Sequence, residues 1–172
     1  MTLYLLRHGI AEDQAPSGTD HDRRLTPRGR VRMRRAAAGL RVLIGPVDAI
    51  LTSPYPRAAE TAVIAAAALP HAPKPRELDA LTPDASPMET LRVLRTVAKG
   101  EQVMLVGHEP LLSGLASLLL TGSVDGMRID LKKGGCIAVT IRTPAPRAAS
   151  LAWVATPRML RRLGRAASHR SS

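Results

Sequence analysis

Arg7, His8 and Gly9 come directly after a short apolar run, Leu3–Leu6, at the start of the chain. If this run is a strand, it delivers a cation, an imidazole and a flexible glycine to its carboxyl end, where open α/β sheets bind ligands. An imidazole can attack phosphorus when one ring nitrogen is free and the other is held by a hydrogen bond that fixes the tautomer. His8 is therefore a candidate nucleophile, although the same three residues also suit an exposed strand end.

Arg57 falls in the first turn of the helix predicted after a second apolar run, Ala49–Thr52. A guanidinium at a helix start can donate two hydrogen bonds to phosphoryl oxygens, and the free backbone N–H groups add to the anion site. A cation at this end of a helix opposes the macrodipole, so a bound anion explains Arg57 better than helix stability does. The alternative is an ordinary solvent-facing arginine.

His108 repeats the same order of apolar run, glycine, polar residue and helix start within residues 103–110. Adjacent parallel strands lie about 4.8 Å apart, so side chains at their carboxyl ends can meet around one phosphoryl group. The sequence therefore predicts one phosphate site built from four side chains. These are Arg7, His8, Arg57 and His108.

Five strands and four helices are predicted to position these side chains. The strands are Leu3–Arg7, Ala49–Thr52, Val103–Val106, Ile137–Arg142 and Leu151–Ala155, and the helices are Pro27–Leu43, Arg57–Ala68, Pro87–Ala98 and Pro110–Leu120. Crossover helices imply parallel strands, whereas the last two strands are joined by too few residues for a helix and should pair antiparallel at one side. The predicted fold class is α/β, a single-domain three-layer sandwich with a mostly parallel central sheet flanked by helices.

The length of 172 residues fits one domain. We expect it to cover residues 1–160, with Ala11–Asp22 as a surface loop and Arg161–Ser172 as a frayed basic tail. No apolar run approaches the roughly 18 residues that span a bilayer, so no membrane association and a cytoplasmic location are expected. The single cysteine, Cys136, has no disulfide partner and no zinc-type ligand spacing around it, so it is expected to be buried, and neither a metal nor a cofactor is expected.

The formal net charge is +11, with two Tyr, one Trp and no Phe. A basic chain can bind nucleic acid, but the arginines are scattered and there are too few aromatic rings for a stacking platform, so no specific nucleic-acid partner is expected. Two readings of the charge remain. One is attraction to anionic substrates or acidic proteins, and the other is a solvated basic face that follows from an Ala/Arg-rich composition.

Three motifs give the chain its resemblance to the histidine phosphatase superfamily. They are Leu-Arg-His-Gly at residues 6–9, Ser-Pro-x-x-Arg-Ala-x-x-Thr at 53–61 and Val-Gly-His-Glu-Pro at 106–110. Leu-Thr-Pro-Arg-Gly at 25–29, Glu-Leu at 77–78, Leu-Thr-Pro at 81–83 and a late Trp153 are similar to its SixA-like branch. The resemblance covers nearly the whole chain except the basic tail. It implies a phosphoglycerate mutase-like fold, His8 as the phosphorylated nucleophile, and a metal-independent phosphate pocket formed by Arg7, Arg57 and His108.

The chain departs from many members of that superfamily in its general acid. Phosphoglycerate mutases and other relatives carry a glutamate after the second helix that protonates an alcohol leaving group, and residues 77–84 lack its usual context. Asp79 and Asp84 are candidate replacements, although a loop carboxylate is more often simply solvated. Glu109, beside His108, is a third candidate acid and an equally good helix-start anion.

These features favour an enzyme that removes phosphate from phosphohistidine on a protein, for example a His-containing phosphotransfer domain. The first alternative is a small-molecule phosphomonoesterase or mutase of the same superfamily, and the short chain argues against a mutase because it has no room for insertions that close over a sugar phosphate. The second alternative is a non-catalytic phosphate-binding module or a basic nucleic-acid adaptor. The intact His8 weighs against this second alternative.

Overall fold

A six-stranded sheet forms the centre of the computed structural model, which describes residues 1–168. Its strands are β1 (Thr2–Arg7), β2 (Ala49–Thr52), β3 (Arg76–Glu77), β4 (Gln102–Gly107), β5 (Cys136–Ile141) and β6 (Ala149–Ala155), in the order β3-β2-β4-β1-β5-β6. The first four run parallel, while β5 is antiparallel to both β1 and β6. The five predicted strands, the antiparallel final pair and the α/β class are confirmed.

Helices cover both faces of the sheet. They are α1 (Pro27–Leu43), α2 (Pro56–Ala68), α3 (Pro87–Val97), α4 (Leu111–Thr121) and α5 (Pro157–Ser168), with one 3₁₀ turn at Asp79–Leu81. Helix α1 begins as predicted, because the hydroxyl of Thr26 accepts the N–H of Gly29 and Pro27 fills the first helical position. None of the helices described within residues 1–168 is long and apolar enough to cross a bilayer.

Alternate residues of the central strands enter two separate cores. Tyr4 and Leu6 of β1 pack into the core formed with α1, α2 and α5, whereas Leu3 and Leu5 pack into the core formed with α3 and α4. Side chains of a strand alternate between its faces, so one buried strand serves both cores. The three-layer arrangement is thereby confirmed.

Helix α5 corrects the prediction that the chain frays from Arg161 onward. Residues 161–168 are helical, and Leu160 and Gly164 are buried against α1. The spacing of Leu160, Leu163 and Gly164 is an apolar helical pattern that the surrounding arginines obscure. The last four residues of the expected tail lie outside the described residues, and the division into a domain of residues 1–160 and a tail stays a prediction.

Cys136 lies in the interior at the start of β5, as expected. It forms no disulfide, and burial raises the pKa of its thiol. A thiol in such a setting behaves as a small apolar side chain.

Candidate active site

The carboxyl ends of β1, β2 and β4 bring the predicted residues together at one edge of the sheet. The register of β1 against β4 pairs Arg7 with Gly107, so the residues that follow, His8 and His108, face each other with ring centroids 5.0 Å apart. Both imidazoles are buried, with 5% and 2% of their surface exposed. These two histidines form the floor of the candidate site.

Hydrogen bonding fixes the tautomer of His8. Its Nδ1 lies 2.7 Å from the carbonyl oxygen of Gly9, which can only accept, so Nδ1 carries the proton. The lone pair is therefore on Nε2. A neutral imidazole with a free Nε2 is the form of histidine that can attack phosphorus.

The protonation state of His8 agrees with this role. Its pKa is lowered from 6.5 to about 3, first because burial disfavours the imidazolium and then because Arg57, Arg7 and Lys133 add positive charge, while the Gly9 carbonyl acts in the opposite direction. The positive neighbours contribute, but burial is the larger cause.

Arg57 lies in the first turn of α2, as the sequence predicts, but it is only 3% exposed, so the solvent-facing alternative is wrong. Its Nη1 donates to the backbone oxygen of Asp20 at 2.6 Å, and its Nη2 donates to Asp20 Oδ2 at 2.7 Å. The guanidinium carbon also lies 5.0 Å from the ring centroid of Tyr55. A loop and an aromatic ring thus hold Arg57 in one orientation.

His108 is held by Ser53, at the end of β2. The Ser53 hydroxyl accepts the backbone N–H of Tyr55 and lies 2.9 Å from His108 Nε2. With Ser53 donating to Nε2, the other nitrogen, Nδ1, carries a proton that it can donate. The pKa of His108 is also lowered to about 3, chiefly by burial and then by His8 and Arg57, so this ring is neutral as well.

Three buried nitrogens of the site have no hydrogen-bond partner within the described part of the chain. They are Arg7 Nε, Arg57 Nε and His108 Nδ1. A buried donor without an acceptor costs about 1–3 kcal/mol, so three of them around one nucleophile indicate a ligand rich in acceptors. A phosphoryl group supplies three such oxygens.

Thr61 links the backbone beside the nucleophile to helix α2. Its hydroxyl accepts the N–H of Gly9 at 3.0 Å and donates to the carbonyl of Arg57 at 2.7 Å. Gly9 in turn holds Nδ1 of His8, so one hydroxyl connects both sides of the site.

Thr61→Val is therefore expected to lower both stability and kcat, because it leaves the buried Gly9 N–H without an acceptor. The expected loss of stability is about 1–3 kcal/mol, measured by urea denaturation. Thr61→Ser keeps the hydroxyl and should retain most of the activity. A loss in Thr61→Ser without a loss in Thr61→Val would show that the methyl group, not the hydroxyl, matters.

The two histidines also predict how stability depends on pH. Between about pH 3 and 6.5 the unfolded chain binds protons on these imidazoles and the native chain does not, so the free energy of unfolding should fall as pH drops through this window. Each histidine can contribute a slope of up to about 1.4 kcal/mol per pH unit. His8→Asn should flatten the dependence, as measured by urea denaturation across this pH window.

The three candidate general acids lie in different surroundings. Asp79 and Asp84 are both exposed, and neither has a hydrogen bond or ion pair to Arg7, His8, Arg57 or His108 within residues 1–168. The Oε1 of Glu109 accepts the N–H of Ser113 at 3.0 Å, which is the geometry of a helix-start anion at α4. Burial raises the pKa of Glu109. Catalytic roles for all three stay predictions.

Sequence reasoning missed several residues that shape the site. Asp20 falls in the expected surface loop but reaches Arg57, and Lys133 influences His8 from a turn before β5. Ser53 and Thr61 belong to the recognised motif but were assigned no role. Their presence in the motif was a signal, because serine and threonine hydroxyls beside a site can hydrogen-bond to its other residues. Asp20 had no such local signal.

No cluster of three or more His, Cys, Asp or Glu side chains that could hold a metal ion occurs among residues 1–168. The cations of the site are arginines and a lysine instead.

Comparisons with known proteins agree with this geometry. Residues 3–82 match the model of the histidine phosphatase superfamily, branch 1. An uncharacterized protein of Picosynechococcus sp. is 39% identical over 141 residues, which cover 81% of this chain and 84% of that protein. The chain belongs to the histidine phosphatase superfamily, and its activity class is that of a phosphatase, a hydrolase.

Solved structures with the same fold include both protein and small-molecule phosphatases. The protein histidine phosphatase SixA complexed with tungstate has a TM-score of 0.79 at 23% identity, over 93% of this chain and 99% of that one. A SixA-type protein of Nakamurella has a TM-score of 0.71 at 25% identity, over 91% and 95% of the two chains. A phosphoserine phosphatase of Entamoeba histolytica has a TM-score of 0.67 at 17% identity, over 92% and 98%.

Proposed function

We propose that this chain is a metal-independent phosphohistidine phosphatase that acts on a phosphorylated protein through a phospho-His8 intermediate. The single observation that carries the mechanism is the free Nε2 of His8 beside three buried donors without acceptors. This arrangement places a nucleophile next to hydrogen-bond donors that can stabilise the charge of the transferring phosphoryl group.

In the first step, the lone pair of His8 Nε2 forms a bond to phosphorus while the P–N bond of the substrate breaks. The electron pair of that bond goes to the leaving imidazole, and Arg7, Arg57 and His108 offset the charge on the phosphoryl oxygens. In the second step, a water oxygen attacks phosphorus, the P–Nε2 bond breaks, and its electron pair returns to Nε2. Phosphate is released and the proton of the water passes to solvent.

The preference for phosphohistidine follows from the leaving group. An imidazole departs as a weak base, with a conjugate-acid pKa of about 6.5, whereas an alkoxide needs a proton as it leaves. Asp79 and Asp84 are exposed, and Asp20 is held as a carboxylate by two arginines that lower its pKa. Asp79 and Asp84 also have no hydrogen bond to the four site residues within residues 1–168, so neither is positioned by such a bond to deliver that proton.

A panel of phosphorylated substrates tests this preference. Because a positioned acid typically contributes about 10²–10⁴-fold, we expect phosphohistidine to be turned over fastest, aryl phosphates to be intermediate, and sugar phosphates to be poor. The measured quantity is kcat/KM against leaving-group pKa, for which a steep slope is expected. A flat slope with efficient turnover of alkyl phosphates would contradict the assignment.

A small-molecule phosphomonoesterase is the second candidate, and the raised pKa of Glu109 favours it. In that case Glu109 would hold the proton for an alkoxide, and Glu109→Gln would selectively reduce turnover of alkyl phosphates. Asp79→Asn and Asp84→Asn serve as matched controls, and a selective loss in either one would identify a different acid.

Treatment with EDTA is expected to leave kcat and KM unchanged, because arginines and neutral imidazoles supply the electrostatic stabilisation in this mechanism. The measurement is phosphate release before and after exhaustive chelation. Activity that disappears and returns with a divalent ion would overturn the metal-independent mechanism.

A further inference from the structure

Helices α1 and α5 together present a cluster of arginines beside the candidate active site. We call it the arginine face, and it consists of Arg32, Arg35, Arg158, Arg161 and Arg165. Neither helix contains an aspartate or a glutamate. Among residues 1–168, none of the five forms an ion pair with a carboxylate, whereas Arg30 of α1 pairs with Glu60 of α2.

Close packing of the two helices forces these charges together. A Cβ on Gly39 of α1 would lie 1.9 Å from the carbonyl oxygen of Leu160, and one on Gly164 of α5 would lie 2.9 Å from the carbonyl oxygen of Arg35. The backbones therefore touch at the two glycines, which brings the arginines of α1 close to those of α5. Consistently, burial and the other four arginines of the face lower the pKa of Arg161.

This arrangement carries an electrostatic cost with no internal compensation. Like charges held close repel each other, and cations near helix starts, as at Arg158, oppose the macrodipole. A composition rich in arginine accounts for their number, and the close contact of α1 with α5 accounts for their placement on one face. An external anion would relieve the repulsion.

A cavity lies between the arginine face and Gly9, the residue next to His8. It measures about 110 Å³ and lies between Arg32 and Arg161 on one side and Gly9 and Lys133 on the other. Gly9 is adjacent to His8 and holds its Nδ1, and the charge of Lys133 acts on His8. When the phosphorylated residue of a protein substrate reaches His8, the surface around that residue would therefore lie against the arginine face.

We propose that the arginine face is the docking surface for the protein substrate, and that it binds an acidic surface flanking the phosphorylated histidine. This inference rests on the proposed function and names the kind of protein that the site accepts. An acidic protein fits better than RNA, because neither helix carries an aromatic side chain and Trp153 is packed against Tyr4, with ring centroids 6.0 Å apart.

The test compares Arg158→Glu/Arg165→Glu with a charge-matched control, Arg41→Glu/Arg142→Glu. Arg158 and Arg165 are exposed, as are Arg41 and Arg142, so all four tolerate substitution, and thermal melting verifies folding. The substrates are a phosphohistidine-bearing phosphotransfer domain with net negative charge, free phosphohistidine and p-nitrophenyl phosphate. Binding of the unphosphorylated phosphotransfer domain is measured in parallel.

At about 0.01 M salt, where screening extends over about 30 Å, we expect the α5 double variant to lose about tenfold or more in kcat/KM on the phosphoprotein. Its activity on both small substrates should stay within about twofold, and the difference should vanish near 1 M salt. The control double variant should behave as the wild type, and Arg158→Gln/Arg165→Gln should show a smaller loss.

Three results would overturn the docking proposal. They are an unchanged kcat/KM on the phosphoprotein, an equal loss on all three substrates, and tighter binding of single-stranded RNA than of the acidic domain at the same salt. The proposed function fails in a different way, namely if the wild type hydrolyses p-nitrophenyl phosphate but neither phosphohistidine substrate. In that case, binding of the unphosphorylated domain still decides whether the arginine face recognises acidic proteins.

Discussion

His8→Asn is expected to lower phosphate release on the order of 10⁴-fold or more, because it removes the nitrogen proposed to form a covalent bond to phosphorus. Brief exposure of the wild type to labelled substrate should leave the label on His8 as a phosphoramidate, which is acid-labile and base-stable. The variant should show no label. Mass spectrometry of the quenched protein identifies the modified residue.

The control for this experiment is His71→Asn, an exposed histidine with a φ of 49°, a conformation that asparagine tolerates. It should retain full activity and labelling. Label on a serine or an aspartate would refute His8 as nucleophile. A wild type that binds phosphate but never turns over would instead favour the non-catalytic phosphate-binding module.

Arg57→Ala is expected to reduce kcat/KM about 10²–10³-fold, because Arg57 Nε is one of the three donors available to the phosphoryl oxygens. Because Arg57 is buried, some loss of stability is also expected, about 1–2 kcal/mol by denaturant titration.

Two further variants separate the roles of Arg57. Arg57→Lys keeps a charge but loses the planar fork and the Nε donor, so most of the activity should still be lost. Asp20→Asn removes the negative charge but keeps a backbone oxygen and a side-chain oxygen that can accept hydrogen bonds from Arg57. A smaller loss of activity is therefore expected. If Arg57→Ala unfolds and Arg57→Lys restores both folding and full activity, the residue is structural.

Much of this fold could be predicted because its signals are local. The N-cap residue Thr26 and Pro27 at the first helical position mark the start of α1. The apolar runs of β1, β2 and β4 are each followed by glycine, proline or polar residues, which mark the ends of the strands. Strand β3 is different. It consists of two exposed residues, Arg76 and Glu77, whose strand character comes only from pairing with β2.

Site residues at strand ends and helix starts could be predicted from the sequence, whereas residues that reach the site from loops could not. Each of the four predicted residues ends a strand, follows one or begins a helix, so topology alone places them at one edge. They are Arg7, His8, Arg57 and His108. Asp20 reaches Arg57 across 37 residues from a loop without a regular pattern. Lys133 acts on His8 from still farther along the chain. No periodicity in the sequence encodes such contacts.

The packing of β1 in the two cores also fixes the spacing between His8 and His108. Residues 3–6 alternate between two cores, so sliding β1 by one position would expose Leu3 and Leu5 to the partners of Tyr4 and Leu6. The same slide would move His8 by about 3.3 Å along the strand. Aliphatic packing several residues away thus sets the distance between the two imidazoles. An insertion or deletion within β1 should consequently abolish turnover even if the chain still folds, whereas changes in length within the loop at residues 143–146, between β5 and β6, should leave the distance intact.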